Sequence, residues 1–174
     1  MKMKKPTQEA VKEFLLQSNA IEGIHNDDSY RQAKTAWDFL MTVDHITPIV
    51  VMKTHGILLA HPRFSSDQDL DKKYVGNYRD YPIWVGGRMG MYHTDIPGAV
   101  IAWCEEMNVS TEDGIKDQLS QALHVQYEKI HPFGDGNGRT GRMFMNWWRL
   151  KNGLPLLTIH AGEEQMEYYK WFKD

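Results

Sequence analysis

The 174-residue sequence contains one cysteine, Cys104, so no internal disulfide can staple it. A lone thiol points by default to a reducing compartment. No apolar run approaches the roughly 20 residues that a membrane span requires. The opening MKMKKPTQEA carries the charge of a secretory leader without the apolar stretch that should follow it. Neither sign of charge dominates: the net charge is −3, whereas a nucleic-acid binder needs a basic face to meet phosphates. Repeats and low-complexity tracts are also missing. These absences exclude disulfide-stapled, membrane-spanning and nucleic-acid-coating proteins, and lead to the expectation of a cytoplasmic, soluble single domain. The remainder is 41% hydrophobic and 25% charged, over a length sufficient to bury a core.

Most of the chain reads as helix. KPTQEAVKEFLLQSNAIEG starts at Pro6-Thr7 and is closed by Gly23. NDDSYRQAKTAWDFLM is expected to be capped by Asp28 or Ser29, with Ala33, Ala36, Trp37 and Leu40 on one stripe. Thr47-Pro48 opens a third helix in the order cap, then first-turn proline. PRFSSDQDLDKK reads as a polar loop. YPIWVGGRMGMYH then offers two short β-like runs around Gly86-Gly87, a hairpin signal. IPGAVIAWCEEM is helical again. In DGIKDQLSQALHVQYEKI, Leu119, Ala122, Leu123, Tyr127 and Ile130 recur at helical spacing. RTGRMFMNWWRLKNG is strongly apolar and stops at Asn152-Gly153, and GEEQMEYYKWFKD makes a final helix. The class is mainly α with one hairpin.

One segment does not behave like the rest. HPFGDGNGRTGR, residues 131–142, combines four glycines, two arginines, a histidine and an aspartate. Gly136, Gly138 and Gly141 form a literal G-x-G-x-x-G, but that dinucleotide fingerprint needs a preceding strand, and the residues before it are helically periodic. The arrangement is helix, loop, helix: Pro132 stops one helix after His131, and the next begins near Asn137 or Gly138. Free N–H groups of that helix start, with the glycines, make an anion-binding nest. Arg139 and Arg142, three apart, can both reach one polyphosphate. Asp135 can hold Mg²⁺ between phosphate oxygens, and His131 can take a proton from an incoming hydroxyl. Phe133 should anchor the loop in the core. Singly, each residue reads as a helix end or a solvated turn; a plain turn has no use for all of them together.

The segment resembles the motif of the Fic (filamentation-induced by cAMP) domain, H-P-F-x-[D/E]-G-N-G-R-x-x-R. His131, Pro132, Phe133, Asp135, Gly136, Asn137, Gly138, Arg139 and Arg142 meet every fixed position. GNYRDYPIWVGG, THGILLAH, YEKIHPF and the Tyr168-Tyr169 pair extend the likeness over nearly the whole chain. The resemblance implies a Fic-type helical bundle over residues 1–174, with a short β-hairpin flap within 76–92 beside a catalytic loop at 131–142. It further implies an enzyme that moves AMP from ATP, with Mg²⁺, onto a Ser, Thr or Tyr hydroxyl of a target protein; modification of the protein itself stays open. On that reading His131 is the base and Asp135 the metal ligand. Gly136, Asn137 and Gly138 hold phosphates through their backbone, and Arg139 and Arg142 bind the outer phosphates. The flap, Tyr81, Pro82, Ile83, Trp84, Val85, Gly86 and Gly87, aligns the target by strand pairing.

A second likeness lies near the start. SNAIEG matches the family's inhibitory motif [S/T]-x-x-x-E-[G/N] through Ser18, Glu22 and Gly23, on a helix placed at 7–23. Val11, Leu15, Ser18 and Glu22 follow at helical steps, so Glu22 is expected on the core-facing stripe, where a carboxylate requires a partner. The resemblance names that partner as Arg142, which would then be unavailable to the γ-phosphate, leaving the enzyme self-inhibited. Other readings stay open. The same glutamate orients water for removal of AMP in some relatives, and similar folds transfer other phosphate-containing groups. Doc-type toxins carry Lys-Arg where this chain has Gly138-Arg139. A catalytically silent nucleotide-binding module is the alternative of another class. Asn146 is either a polar helix residue or a neighbour of the adenine.

Overall fold

The computed structural model describes residues 5–60, 72–109, 111 and 113–173. Seven α-helices and one hairpin follow in the order α1 (Gln8–Ile21), α2 (Asp27–Leu40), α3 (Pro48–Leu58), β1 (Trp84–Val85), β2 (Arg88–Met89), α4 (Ile96–Met107), α5 (Lys116–Ile130), α6 (Asn137–Lys151) and α7 (Glu163–Tyr169) among these residues. Most of the polar loop expected at 62–73 lies outside the described residues, which resume in a short 3₁₀ turn at Lys72–Tyr74.

Local chemistry sets the helix boundaries. Thr7 and Thr47 cap α1 and α3 by accepting from Ala10 N and Val50 N, each satisfying a first-turn N–H that the helix itself cannot. The α2 cap differs from the expected Asp28 or Ser29. It is Asn26, whose Oδ1 accepts from Ser29 N at 2.8 Å. Asp27 and Asp28 instead occupy the first turn, where the helix dipole favours negative charge. Gly153, at φ +81°, closes α6 in the left-handed region.

α6 is the axis of the molecule: every residue of it is buried except Gly138 and Lys151. It buries Arg139, Arg142, Asn146 and Arg149 beside its apolar residues, so neighbours must both cover it and supply hydrogen-bond partners, and α5, α1 and α3 pack around it. Trp103 from α4, Tyr127 from α5 and Phe144 from α6 interlock with ring centroids 4.9–5.5 Å apart. From α1, Val11, Phe14 and Leu15 enter the same core, and Phe14 meets the edge of Trp37 at 5.4 Å. On α5 the buried face is Ser120, Leu123, His124, Tyr127 and Ile130. Ala122, expected on that stripe, is exposed; it sits one position off the face, and an alanine gains little by burial. A smaller cluster of Ile21, Met145, Ile159 and Tyr168 ties the segment after α6 back onto α1.

The hairpin turn is Gly86-Gly87, at φ +56° and +82°. Two successive positive φ values match the right-handed twist of the flanking strands, which is why glycine occupies both. The antiparallel pairs are Trp84–Met89 and Val85–Arg88, closed by Gly90 N–H donating to Ile83 O at 2.8 Å.

Candidate active site

His131 stands where α5 stops. Its backbone is left-handed, φ +47° and ψ +62°, the one such non-glycine among the described residues. That conformation costs about 1–2 kcal/mol for a residue with a side chain, so its surroundings must hold it. Tyr127 O accepts its N–H at 2.9 Å. Its own carbonyl accepts from Arg79 Nε at 2.8 Å. Arg79 is 2% exposed and also donates to Tyr81 O, Met91 O and Ile130 O. One guanidinium therefore pins both ends of the hairpin region to the end of α5. Burial first, then the Arg79 charge, lowers the His131 pKa to about 4, so the imidazole is neutral at neutral pH and can accept a proton.

The loop from Pro132 to Gly136 is held from both sides. Phe133 is fully buried and stacks on His55 with centroids 3.7 Å apart. His55 Nδ1 accepts from Gly76 N–H at 2.9 Å, so its proton is on Nε2, which donates to Asp135 O at 2.9 Å. Burial lowers the His55 pKa to about 4, which keeps it in this neutral, two-handed form. Asn137 spends its side chain inside the loop, accepting from Phe133 N and donating to Phe133 O; only its backbone is left to meet a ligand. Asp135, with a side chain 40% exposed, takes the Gly136 N–H on Oδ1 and lies 3.5 Å from Arg139 through Oδ2.

Arg142 is 2% exposed and turns toward α1. Its Nε donates to Ser18 Oγ at 2.9 Å, and Nη2 donates to Ser18 O at 2.9 Å and to Glu22 Oε1 at 2.8 Å. Nη1 donates to Tyr168 OH at 3.2 Å. Burial opposes the charge on Arg142, but Tyr168 and Glu22 outweigh it and its pKa rises. Glu22 Oε1 sits where a Cβ on residue 138 would go, directly over the first turn of α6. Glu22, Glu128, His131, Gly138, Arg142, Tyr168, Tyr169 and Phe172, with Val85 to Gly90 of the hairpin excepting Gly87, line one cleft of about 860 Å³.

Residues 46–148 match the profile of the Fic/DOC family, which covers more than half of the sequence. The chain belongs to the Fic/DOC family. Over 130 residues it is 27% identical to a protein adenylyltransferase Fic of Drosophila mojavensis, and over 132 residues 31% identical to that of Drosophila willistoni. These alignments take in 74% and 71% of the chain but 24% and 23% of the relatives, so the chain spans about a quarter of the length of the curated relatives it matches. Among solved structures, a Fic domain-containing signaling protein from Bacteroides thetaiotaomicron aligns with TM-score 0.72 at 19% identity, covering 97% of this chain and 76% of that one. Fic-1 from C. elegans aligns with TM-score 0.69 at 18% identity, covering 94% and 55%. Both likenesses establish the Fic fold.

Within this Fic/DOC chain the motif residues do not all face one way. Glu22, Gly138, His131 and Arg142 meet in the cleft, whereas Arg139 is buried and reaches back to Asp135. Glu22 is not on the core-facing stripe. α1 ends at Ile21, and Glu22 is its cap at φ −92° and ψ 12°, so its side chain leaves the helical stripe and remains 39% exposed at the cleft rim. Ser18 is buried against Arg142; Gly23, at φ +69°, has only open space around it and serves to turn the chain. Of the expected flap, Val85 and Gly86 reach the cleft and Trp84 is 70% exposed. Tyr81 rests against Tyr74, Ile83 closes the hairpin, and Pro82 and Gly87 are exposed. Asn146 is a structural tie, bonded to Arg142 O and to both backbone groups of Leu157. Sequence reading missed His55, Arg79, His124, Glu128 and the bond from Arg142 to Tyr168. His55, Arg79, Glu128 and Tyr168 fall in the stretches that carry the family likeness, but nothing in their local spacing marks the tertiary bonds they make. No group of three or more His, Cys, Asp or Glu among the described residues could hold a metal by itself, and no described helix is long and apolar enough to cross a membrane.

Proposed function

We propose that this protein transfers AMP from ATP to a hydroxyl of a protein and is restrained by its own Glu22. The observation that carries the reading is Glu22 Oε1 lying 2.8 Å from Arg142 and over Gly138, in the same cleft as the neutral imidazole of His131. A carboxylate on the first turn of α6 occupies the anion position that a phosphate needs. In the transfer, the acceptor hydroxyl oxygen forms a bond to the α-phosphorus while its proton passes to His131. The bond from that phosphorus to the β-phosphate bridging oxygen breaks, and pyrophosphate leaves. The backbone of Gly136, Asn137 and Gly138 would hydrogen-bond the phosphates, and Arg142 in the cleft, with Arg139 behind it beside Asp135, would supply positive charge; such chemistry depends on positioning and charge more than on covalent groups. A half-exposed carboxylate such as Asp135 suits Mg²⁺, which takes one or two protein carboxylates and completes its shell with phosphate and water. When bound, Mg²⁺ would neutralise charge on the phosphates. The flap would present β1 to an extended segment of the target.

The test uses ATP labelled at the α- or the γ-phosphate, with the wild type, Glu22→Gly and His131→Ala. The reading expects α-label alone on protein, a rise with Glu22→Gly and no label with His131→Ala. γ-Label on protein would replace AMP transfer by phosphate transfer. No label with any variant, despite ATP binding, would leave a silent nucleotide-binding module. A second reading has its own support: Glu22 remains partly exposed at the cleft rim, where it could orient a water for removal of AMP. Release of AMP from a modified protein by the wild type but not by Glu22→Gly would favour it.

A further inference from the structure

One turn before His131, Glu128 projects into the same buried corner. Its Oε2 lies 3.7 Å from His131 Nδ1, with only 14% and 15% of the two side chains exposed. Glu128 Oε1 is a buried polar atom with no hydrogen-bond partner, and His131 Nδ1 makes no well-aligned side-chain bond, its acceptors at hand being this carboxylate and the Glu128 backbone carbonyl. The corner exists because residue 141 is glycine. A Cβ there would meet Glu128 Oε1 and His124 Nδ1 at 2.9 Å each, closer than side chains tolerate.

The tautomer of His124 follows from its partners. Arg142 Nη1 donates to Tyr168 OH, so the phenol gives its own hydrogen to His124 Nε2 at 2.8 Å. The His124 proton is therefore on Nδ1, over the same glycine, where the Gly141 backbone is its acceptor at hand. The Glu128 carboxyl thus lies 3.7 Å from the Nδ1 of His131 and shares the space over Gly141 with the Nδ1 of His124. We propose that Glu128 is the positioning residue of His131: its carboxylate takes the Nδ1–H and leaves the Nε2 lone pair as the base. The inference rests on the reading of His131 as that base. The 3.7 Å gap closes to a hydrogen bond when ligand is bound, as such contacts commonly tighten in the reactive complex.

The ionisation state of Glu128 decides the outcome. An ionised carboxylate accepts from Nδ1, whereas a protonated one donates to it and forces the hydrogen onto Nε2, where it blocks the base. The groups facing the pair are Arg142 from α6, Glu22 from the end of α1, Tyr168 from α7, His124 and Tyr127 from α5, and Arg79 and Asp135 beside His131. Burial raises the Glu128 pKa to about 7; Arg142 opposes the rise and Glu22 adds to it. Glu22 therefore restrains the site twice, by occupying Arg142 and by disfavouring the ionised Glu128.

The experiment places Glu128→Ala, Glu128→Gln and Gly141→Ala in the Glu22→Gly background and measures auto-modification across about pH 5 to 9. Glu128→Ala should lower kcat about ten- to a hundred-fold while leaving KM for ATP within about two-fold. Glu128→Gln keeps an acceptor that does not titrate, so it should retain part of kcat and lose the acidic limb near pH 7. Gly141→Ala should reproduce Glu128→Ala by pushing the carboxylate aside, with folding checked by circular dichroism and ATP binding. Nitrogen-15 NMR of His131 provides a readout without activity: an Nδ1–H tautomer in the parent at high pH, and a mixture in Glu128→Ala. Unchanged kcat, a persistent acidic limb in Glu128→Gln, or an unchanged tautomer would overturn the proposal, leaving the Glu128 backbone carbonyl to orient the ring alone. If the Glu22→Gly parent transfers no AMP, the proposed function fails, while the NMR arm still decides the pairing.

Discussion

Arg142 makes four hydrogen bonds to three residues, and one of the four goes to Glu22. Removing Glu22 leaves the guanidinium held by Ser18 and Tyr168, aimed at the cleft and short of one acceptor. Because the Glu22 side chain is 39% exposed, its ion pair is solvent-screened and contributes about 1 kcal/mol or less to folding. Glu22→Gly should therefore melt within a few degrees of the wild type while raising AMP transfer roughly ten- to a hundred-fold, the span of an ordinary coupling energy. Scanning calorimetry with a labelling assay checks both halves; a large loss of stability would show that Glu22 belongs to the fold instead. Ser18→Ala behaves differently. It leaves the buried Arg142 Nε unpaired and should destabilise by about 1–3 kcal/mol, measured by urea titration.

At the scale of elements, α1 is part of the core. Val11, Phe14 and Leu15 are packed against the helices around α6, so the N-terminal helix cannot lift away without exposing them. Phe14→Ala should cost about 3–5 kcal/mol and should unfold the chain in urea well before it raises activity. On the proposed reading, release of Glu22 would be a side-chain movement on a fixed helix. The hairpin is the opposite case. Its four strand residues are all exposed, and so short a pair is marginal in isolation. Arg79 is what fastens it. Arg79→Lys, which replaces a planar fork by a single point donor, should cut transfer to a protein acceptor about ten-fold or more while leaving ATP binding nearly unchanged. Hydrogen exchange at Gly90 N–H should accelerate in the same variant; unchanged exchange and transfer would refute the fastening role.

For the whole molecule, pH sets a stability balance. Burial lowers the pKa values of His55, His124 and His131 from 6.5 to about 4, 3 and 4. Below pH 6.5 the unfolded chain binds protons that the folded chain refuses, so stability falls as pH drops toward 4. Glu128, raised from 4.5 to about 7, acts in the other direction: its contribution favours the fold on the acid side and is lost as pH rises through 7. Three imidazoles against one carboxyl predict a melting temperature several degrees lower near pH 4.5 than near pH 7. A flat or rising Tm on acidification would contradict the burial of these histidines.

Much of this architecture was legible beforehand. The Thr7 and Thr47 caps, the Gly86-Gly87 turn and the helix–loop–helix around His131 follow from local rules of backbone and hydrogen bonding. The errors arose where two local rules compete or where a pattern outruns its element. Asn26, Asp27, Asp28 and Ser29 all suit a helix start, and only the geometry of Asn26 Oδ1 decides among them. Glu22 continues the spacing of α1 one residue past its end, so periodicity placed it in the core when the backbone had already turned. His55, Arg79 and Glu128 were beyond reach, since each acts on residues that only the tertiary fold brings near.

The four carbonyls gathered by Arg79 join two places that a reaction would otherwise have to coordinate separately. A peptide laid along β1 would load, through that one rivet, the carbonyl next to the imidazole. Grip on the acceptor and aim of the base would then be a single mechanical event.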